Sequence, residues 1–339
     1  MSSRAFICGC SGLSFTPDEK SFIEECQPWG LILFRRNIGT PDEVRALTDS
    51  FRALTGRDNA AVLVDQEGGR VQRLNTPHWQ SYPPGAFFNA ITTATPKHKL
   101  RLAKITAQLM AHDLLQVGIN VDCLPVLDVP IPGSHNVIGD RAYADNPRDV
   151  AALGRAAADG MLAGGVLPVM KHIPGHGRAF ADSHMELPVV DTALEDLRTN
   201  DFAPFKANAD LPAAMTAHVV YTALDPNNPA TISPKIISEI IRGEIGFDGL
   251  LMSDDLSMKA LTGSFRSKAE RLFAAGVDLA LHCNGNLGEA AGVAAGTPML
   301  EGAALRRAEA AMARISAGAK DFDPVDARAE LETALAIMG

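Results

Sequence analysis

Four clusters of polar residues in this 339-residue chain each end an apolar run, the arrangement expected where a folded scaffold presents chemistry at the tips of its strands. One run ends in Ser253-Asp254-Asp255, and a carboxylate so placed can act as a nucleophile toward an electrophilic carbon. Another ends in Lys171-His172, a third in His218, and a fourth in Asp65, which opens the stretch Asp65-Gln-Glu-Gly-Gly-Arg70-Val-Gln-Arg73. Successive side chains on a strand face opposite ways, so only one of Asp254 and Asp255 can face inward. The pattern does not choose between them, although Asp255, followed by Leu-Ser-Met, suits a carboxylate that ties a loop.

The segment after Lys171-His172 reads Ile-Pro-Gly175-His176-Gly177-Arg-Ala-Phe-Ala-Asp182-Ser-His184. Glycines flank His176, and the spacing predicts an exposed, mobile functional loop over 175–183. In an extended stretch Asp182 and His184 project to the same side, so the carboxylate can hold the imidazole and favour its proton-donating form. Simpler roles exist for several of these residues. Asp65 can cap a loop, and His218 can be a satisfied core histidine. Lys171 is harder to explain so, because a buried lysine is costly unless it is paired or meets a ligand.

The elements that must position these groups are eight short apolar runs, at 5–10, 30–34, 60–65, 119–126, 166–172, 213–218, 250–255 and 277–282. Amphipathic stretches separate them, as parallel strands joined by crossover helices require, and eight such strands close a barrel. The prediction is therefore an α/β fold, a (β/α)8 TIM-type barrel. It forms a single domain over 1–339, with the barrel at about 5–295 and two Ala-rich helices at about 299–338 packed on its outside. Thr16-Pro17-Asp18-Glu19 and Thr40-Pro41-Asp42-Glu43 are helix starts with capping boxes. Gly56 ends the second helix, and Asn146-Pro147 and Ser233-Pro234 open later ones.

Composition narrows the function. Forty acidic against 31 basic residues give a net charge of −9, which leaves no basic footprint for nucleic acid. The absence of an 18-residue apolar stretch argues against a membrane span. Five scattered cysteines without CxxC pairs read as reduced thiols, and the apolar run near the N-terminus is too short for a signal peptide, so a cytoplasmic enzyme is expected.

Taken in order, the Asp65–Arg73 stretch, Lys171-His172-Ile-Pro-Gly-His176-Gly, Asp182-Ser-His184 and Ser253-Asp254-Asp255-Leu-Ser-Met258 resemble glycoside hydrolase family 3. More narrowly they resemble its bacterial β-N-acetylhexosaminidases of cell-wall recycling. The resemblance spans nearly the whole chain, with Ile173 standing where the family often has phenylalanine. It implies Asp254 as nucleophile, His184 with Asp182 as acid/base dyad, and Asp65, Arg73, Arg141, Lys171 and His172 as sugar-binding residues. It also implies a monomer that uses no cofactor and no metal, acting on a small carbohydrate or muropeptide substrate. The chemistry is coherent, since a retaining glycosidase needs a nucleophilic carboxylate and a proton donor, and an imidazole can replace the usual second carboxyl.

Other readings stand beside it. Lys171, His172, His218 and Asp254 at strand ends could serve metal-dependent hydrolysis, although the first run lacks a His-x-His pair. Lys171 could form a Schiff base, the chain could bind sugar without catalysis, and the acetamido group could attack in place of Asp254.

Overall fold

The structure, a computed structural model, describes residues 3–179, 187–315 and 322–338. Thr16 and Thr40 open helices α1 (Pro17–Cys26) and α2 (Pro41–Thr55) through reciprocal caps: each hydroxyl accepts the N–H three residues on, and the glutamate there accepts the threonine N–H. Gly56 ends α2 in the left-handed region at φ 62°. Helix α4 (Pro147–Gly164) starts on Asn146, whose side chain accepts the Asp149 N–H at 3.0 Å, and α3 (Pro96–Leu115) precedes it. These caps satisfy donors that the first turn leaves unpaired.

Eight parallel strands among the described residues close into a barrel. They are β1 (Arg4–Cys8), β2 (Pro28–Leu33), β3 (Ala61–Val64), β4 (Val121–Asp122), β5 (Leu167–Ile173), β6 (Ala213–Thr216), β7 (Leu250–Asp255) and β8 (Leu279–His282). They follow one another around the ring in chain order, and β1 meets β8 with Phe6 opposite Ala280. Parallel neighbours need crossovers, which the helices supply, including α5 (Phe265–Ala275) between β7 and β8; α6 (Leu287–Ala295) follows β8. This is the (β/α)8 barrel that the eight apolar runs predict.

Alternation along the strands sorts the core. Ala61 and Leu63 of β3, Leu167 and Val169 of β5, and Leu250 and Met252 of β7 share one cluster inside the barrel, while Leu251 and Met170 pack outward under the helices. Continuing the same two-residue step, the next inward positions are Asp65, Lys171 and Asp254. The apolar interior thus ends, at the C-terminal rim, in three ionisable side chains.

Two expectations need correction. The run at 119–126 is ladder-bonded as a strand only at Val121–Asp122, because Pro125 has no N–H to donate and the Leu124 N–H turns back to the Asp122 carbonyl at 2.8 Å. Pairing with β5 resumes beyond the break, where the Lys171 N–H donates to Pro125 O at 2.9 Å and the Leu127 N–H to Lys171 O at 2.7 Å. The two C-terminal helices do not both lie on the outer wall. Helix α8 (Pro324–Met338) does, with Glu330 paired to Arg101 of α3. Helix α7 (Gly302–Met312) instead lies across the N-terminal mouth, where Ala308 and Ala311 join Trp29 and the barrel interior. Arg307 fixes it there through Asp248 and Asp278 beside β7 and β8. An open mouth lined by apolar side chains needs such a floor, and small alanines let a helix approach closely.

Candidate active site

At the C-terminal rim a five-member chain of alternating charge crosses the barrel. Arg73 pairs with Asp65 at 2.9 Å, Asp65 with Lys171 at 2.9 Å, and Lys171 with Glu67 at 2.6 Å. Glu67 then accepts from Nε and Nη2 of Arg141, each at 2.8 Å. Lys171 is only 2% exposed, and this pairing is what makes its burial tolerable. Burial alone would lower its basicity, yet Asp65 and Glu67 hold the ammonium well above the ordinary lysine range. Burial likewise works against ionised Asp65, but Lys171 and Arg73 keep it well below the usual carboxylate range; Lys171 and Arg141 keep Glu67 low in the same way.

Local sequence explains how one loop supplies three of these five. After β3 the chain forms a short hairpin, Gln66–Gly68 against Val71–Gln72, which returns Arg73 beside Asp65. The turn needs glycine: Gly68 sits at φ +86°, and a Cβ there would come 2.2 Å from Pro83 O. Arg70, between the hairpin strands, donates to Asp140 and to the carbonyls of Asn136, Val137 and Ile138, which fixes the loop that carries Arg141.

These groups line a cavity of about 220 Å³ together with His172, His176 and Asp254. Apolar side chains, among them Phe34, Met215 and Met258, form most of the remaining wall. Pockets for drug-sized ligands begin at roughly 300 Å³, so the space suits one sugar ring with a few directed polar contacts. The structure therefore brings Asp65, Arg73, Arg141, Lys171, His172 and Asp254 together. Asp182 and His184 lie outside the described residues.

The adjacent aspartates separate as alternation requires. Asp254 faces inward, and its Oδ1 accepts the Asp255 N–H at 2.8 Å. Asp255 also borders the cavity, but its carboxylate is committed to backbone, accepting the N–H groups of Ser257 and Cys283, each at 3.0 Å, as well as the Ser257 hydroxyl. It joins the loop after β7 to the end of β8. His218 is wholly buried, with Nε2 3.0 Å from the Asp255 carbonyl oxygen and Nδ1 2.7 Å from the Thr231 hydroxyl. Burial lowers its pKa; the Asp255 carbonyl only accepts, so the ring donates to it from Nε2, while Nδ1 meets the Thr231 hydroxyl, which also donates to the Ala217 carbonyl at 2.9 Å. Both nitrogens are thereby used within the fold, which removes His218 from a metal-ligand set. Lys171, held as an ammonium between two carboxylates, lacks the lone pair that Schiff-base chemistry needs.

Sequence reasoning missed the structural importance of two acids, Glu67 and Asp128. Glu67 stands two residues beyond Asp65, on the same side of an extended stretch, so the alternation argument could have found it. Asp128 is fully buried just past the broken fourth run, and its Oδ2 lies 2.6 Å from His172 Nδ1. Its Oδ1 accepts the N–H of His172 at 3.2 Å and that of His176 at 2.6 Å. Burial opposes its charge, but His172 foremost holds it below the usual carboxylate range.

The described stem of the loop after β5 is not exposed as expected. Residues 175–177 are buried, the Tyr221 hydroxyl donates to Gly175 O, and Arg178 pairs with buried Asp201 at 2.6 Å. A Cβ at Gly177 would sit 2.0 Å from Val129 O, so close backbone approach, rather than freedom to move, accounts for that glycine. His176 is 3% exposed, and burial pushes its pKa down to about 4.

Residues 10–317 match the glycosyl hydrolase family 3 N-terminal domain. A beta-hexosaminidase from Alkalilimnicola ehrlichii is 40% identical over 282 residues, covering 82% of this chain and 80% of that protein. One from Pseudomonas aeruginosa is 40% identical over 276 residues, covering 80% of each. NagZ from Neisseria gonorrhoeae, solved in complex with N-trifluoroacetyl-D-glucosamine, superposes with a TM-score of 0.88 at 30% identity, over 100% of this chain and 99% of that one. A family 3 beta-N-acetylglucosaminidase from Paenibacillus gives 0.78 at 31% identity; the match covers 98% of this chain and 60% of that longer one. With the barrel, the rim of paired charges and these matches in hand, the chain belongs to glycosyl hydrolase family 3 and is a glycoside hydrolase.

Proposed function

We propose that the chain is a retaining exo-glycosidase that removes terminal β-linked N-acetylglucosamine through a covalent glycosyl-aspartate on Asp254. The observation that carries this reading is the placement of Asp254 at an inward rim position, in one cavity with the Arg73–Asp65–Lys171–Glu67–Arg141 chain. A sugar presents several hydroxyls at fixed angles, and an array of immobile donors and acceptors can fix the ring so that its anomeric carbon faces one carboxylate. The names of the relatives and the N-trifluoroacetyl-D-glucosamine bound to NagZ support an N-acylated amino sugar as the ring that fits.

In this mechanism Asp254 attacks the anomeric carbon while protonated His184 gives its proton to the departing glycosidic oxygen. Neutral His184 then takes a proton from water, which attacks the same carbon and frees Asp254. Asp182 favours the imidazolium form. Lys171 and the two arginines leave Asp65 and Glu67 ionised as acceptors for sugar hydroxyls. The resemblance further supports N-acetylglucosaminyl-anhydro-N-acetylmuramic acid muropeptides as substrate, cleaved during peptidoglycan recycling by a cytoplasmic monomer. No helix among the described residues is long and apolar enough to cross a membrane.

The test is p-nitrophenol release from the N-acetyl-β-glucosaminide by the wild type and by Asp254→Asn. The expected result is saturable turnover that falls at least about a thousandfold in the variant. Saturable binding of the sugar without turnover by the wild type would support the non-catalytic reading instead.

A further inference from the structure

Asp128 lies outside the chain of paired charges, is fully buried, and touches two histidines of the cavity wall. Its two oxygens do different work. Oδ2 meets the His172 ring at Nδ1, 2.6 Å away, whereas Oδ1 receives two backbone donors, His172 N–H and His176 N–H. An ionised carboxylate only accepts, so the His172 ring must carry its proton on Nδ1. The other nitrogen, Nε2, has no hydrogen-bond partner among the described residues, and the ring borders the cavity beside Lys171 and Asp254. When Nδ1 carries the ring's one proton, Nε2 is an acceptor for a ligand hydroxyl.

We propose that Asp128 is a positioning residue for the glycosidase reaction: it fixes the tautomer and orientation of His172 and, through His176, holds the stem of the following loop in register with that ring. The inference rests on the reading of the cavity as a sugar site, but its first observable does not. A carboxylate that orients an imidazole acts on the reaction through the ring's tautomer, and replacing it by an amide reverses which ring nitrogen is protonated. In Asp128→Asn the amide oxygen keeps both backbone contacts while the amide N–H₂ faces Nδ1. The ring must then accept at Nδ1 and carry its proton on Nε2. A sugar hydroxyl would meet a donor where it had met an acceptor.

The experiment uses the full-length protein labelled with ¹⁵N-histidine. Two-bond proton–nitrogen spectra at neutral pH, assigned through a His172→Gln variant, report the His172 tautomer directly. The wild type is expected to show the proton on Nδ1 and Asp128→Asn to show it on Nε2. Turnover of the p-nitrophenyl sugar should fall about 10- to 100-fold in kcat/KM in that variant, mainly through KM, because the lost contact is to bound sugar. Asp128→Ala, which also releases the His176 N–H, should lower kcat in addition. A wild-type ring protonated on Nε2 alone overturns the proposal, as does an Asp128→Asn enzyme with wild-type kcat/KM. A wild type that shows the Nδ1 tautomer yet hydrolyses no glycoside overturns the sugar-site reading and leaves the tautomer assignment standing.

Discussion

Replacing Lys171 by methionine tests whether the rim chain is an interdependent unit. The ammonium is 2% exposed and contacts Asp65 at 2.9 Å and Glu67 at 2.6 Å. At an effective dielectric near 20 each contact corresponds to several kcal/mol of gross attraction, but removing the lysine also removes its own desolvation penalty. What remains are two buried carboxylates that have each lost a partner, a lesion that costs about 3–5 kcal/mol where one partner of a buried pair is deleted. Arg73 and Arg141 still serve one carboxylate each, so the expected loss lies near the lower end, about 3 kcal/mol, a large part of a typical folding stability of roughly 5–15 kcal/mol. The pH dependence gives a second, independent sign. Asp65 and Glu67 have lowered pKa values in the fold, so their pairing contributes stability above the unfolded carboxylate range, and that contribution is lost as pH falls through the folded values. Without Lys171 both acids protonate more easily, and a neutral carboxyl no longer needs the missing cation. Urea unfolding of wild type and Lys171→Met at about pH 7.5 and about pH 4.5 measures both effects, and the gap between the two proteins should be largest at the higher pH. A gap under about 1 kcal/mol at neutral pH, or one that widens in acid, would refute the reasoning.

Three further outcomes follow from the same geometry. Asp255→Ala removes three contacts that tie the loop after β7 to the end of β8, and should lower stability by about 2 kcal/mol in denaturant titrations, where Asp254→Asn changes stability little while lowering turnover at least about a thousandfold. His176 has a pKa of about 4 in the fold against an ordinary 6.5, so its neutral form stabilises the protein above pH 6.5. Up to about 3 kcal/mol is lost as pH falls toward 4, and His176→Gln should flatten the unfolding free energy across that interval. His184→Ala should reduce hydrolysis of a muropeptide far more than that of a p-nitrophenyl glycoside, because a good leaving group needs little protonation; equal losses on the two substrates would contradict the acid role.

What could be read in advance follows from what is local. The capping boxes at Thr16 and Thr40 and the alternation in Leu250-Leu-Met-Ser-Asp254-Asp255 are complete within a few residues, so strands, helix starts and the opposed facing of the two aspartates were legible, while which of the two faces inward was not. The cost of burying Lys171 showed that it needed partners. Which partners it has depends on barrel closure, which brings residues 65, 67, 141 and 171 together from separate strands and loops. No periodicity encodes that meeting. Pro125 broke the fourth strand where apolar composition alone suggested continuity, and Asp128 lay hidden behind the break. The glycines around His176 suggested motion because Val129, which crowds Gly177, lies nearly fifty positions away in sequence. Helix α7 carries the same Ala-rich pattern as a helix on the outer wall, and only the unfilled mouth of the barrel explains its place.

The most direct test of Asp254 as nucleophile is to incubate the enzyme with a 5-fluoro or 2-fluoro glycosyl fluoride, which slows release of a covalent intermediate, and to map the labelled peptide by mass spectrometry. The account predicts one sugar per chain, attached through an ester to Asp254. A label on Asp255, or full turnover of substrate with no label on any residue, would contradict it.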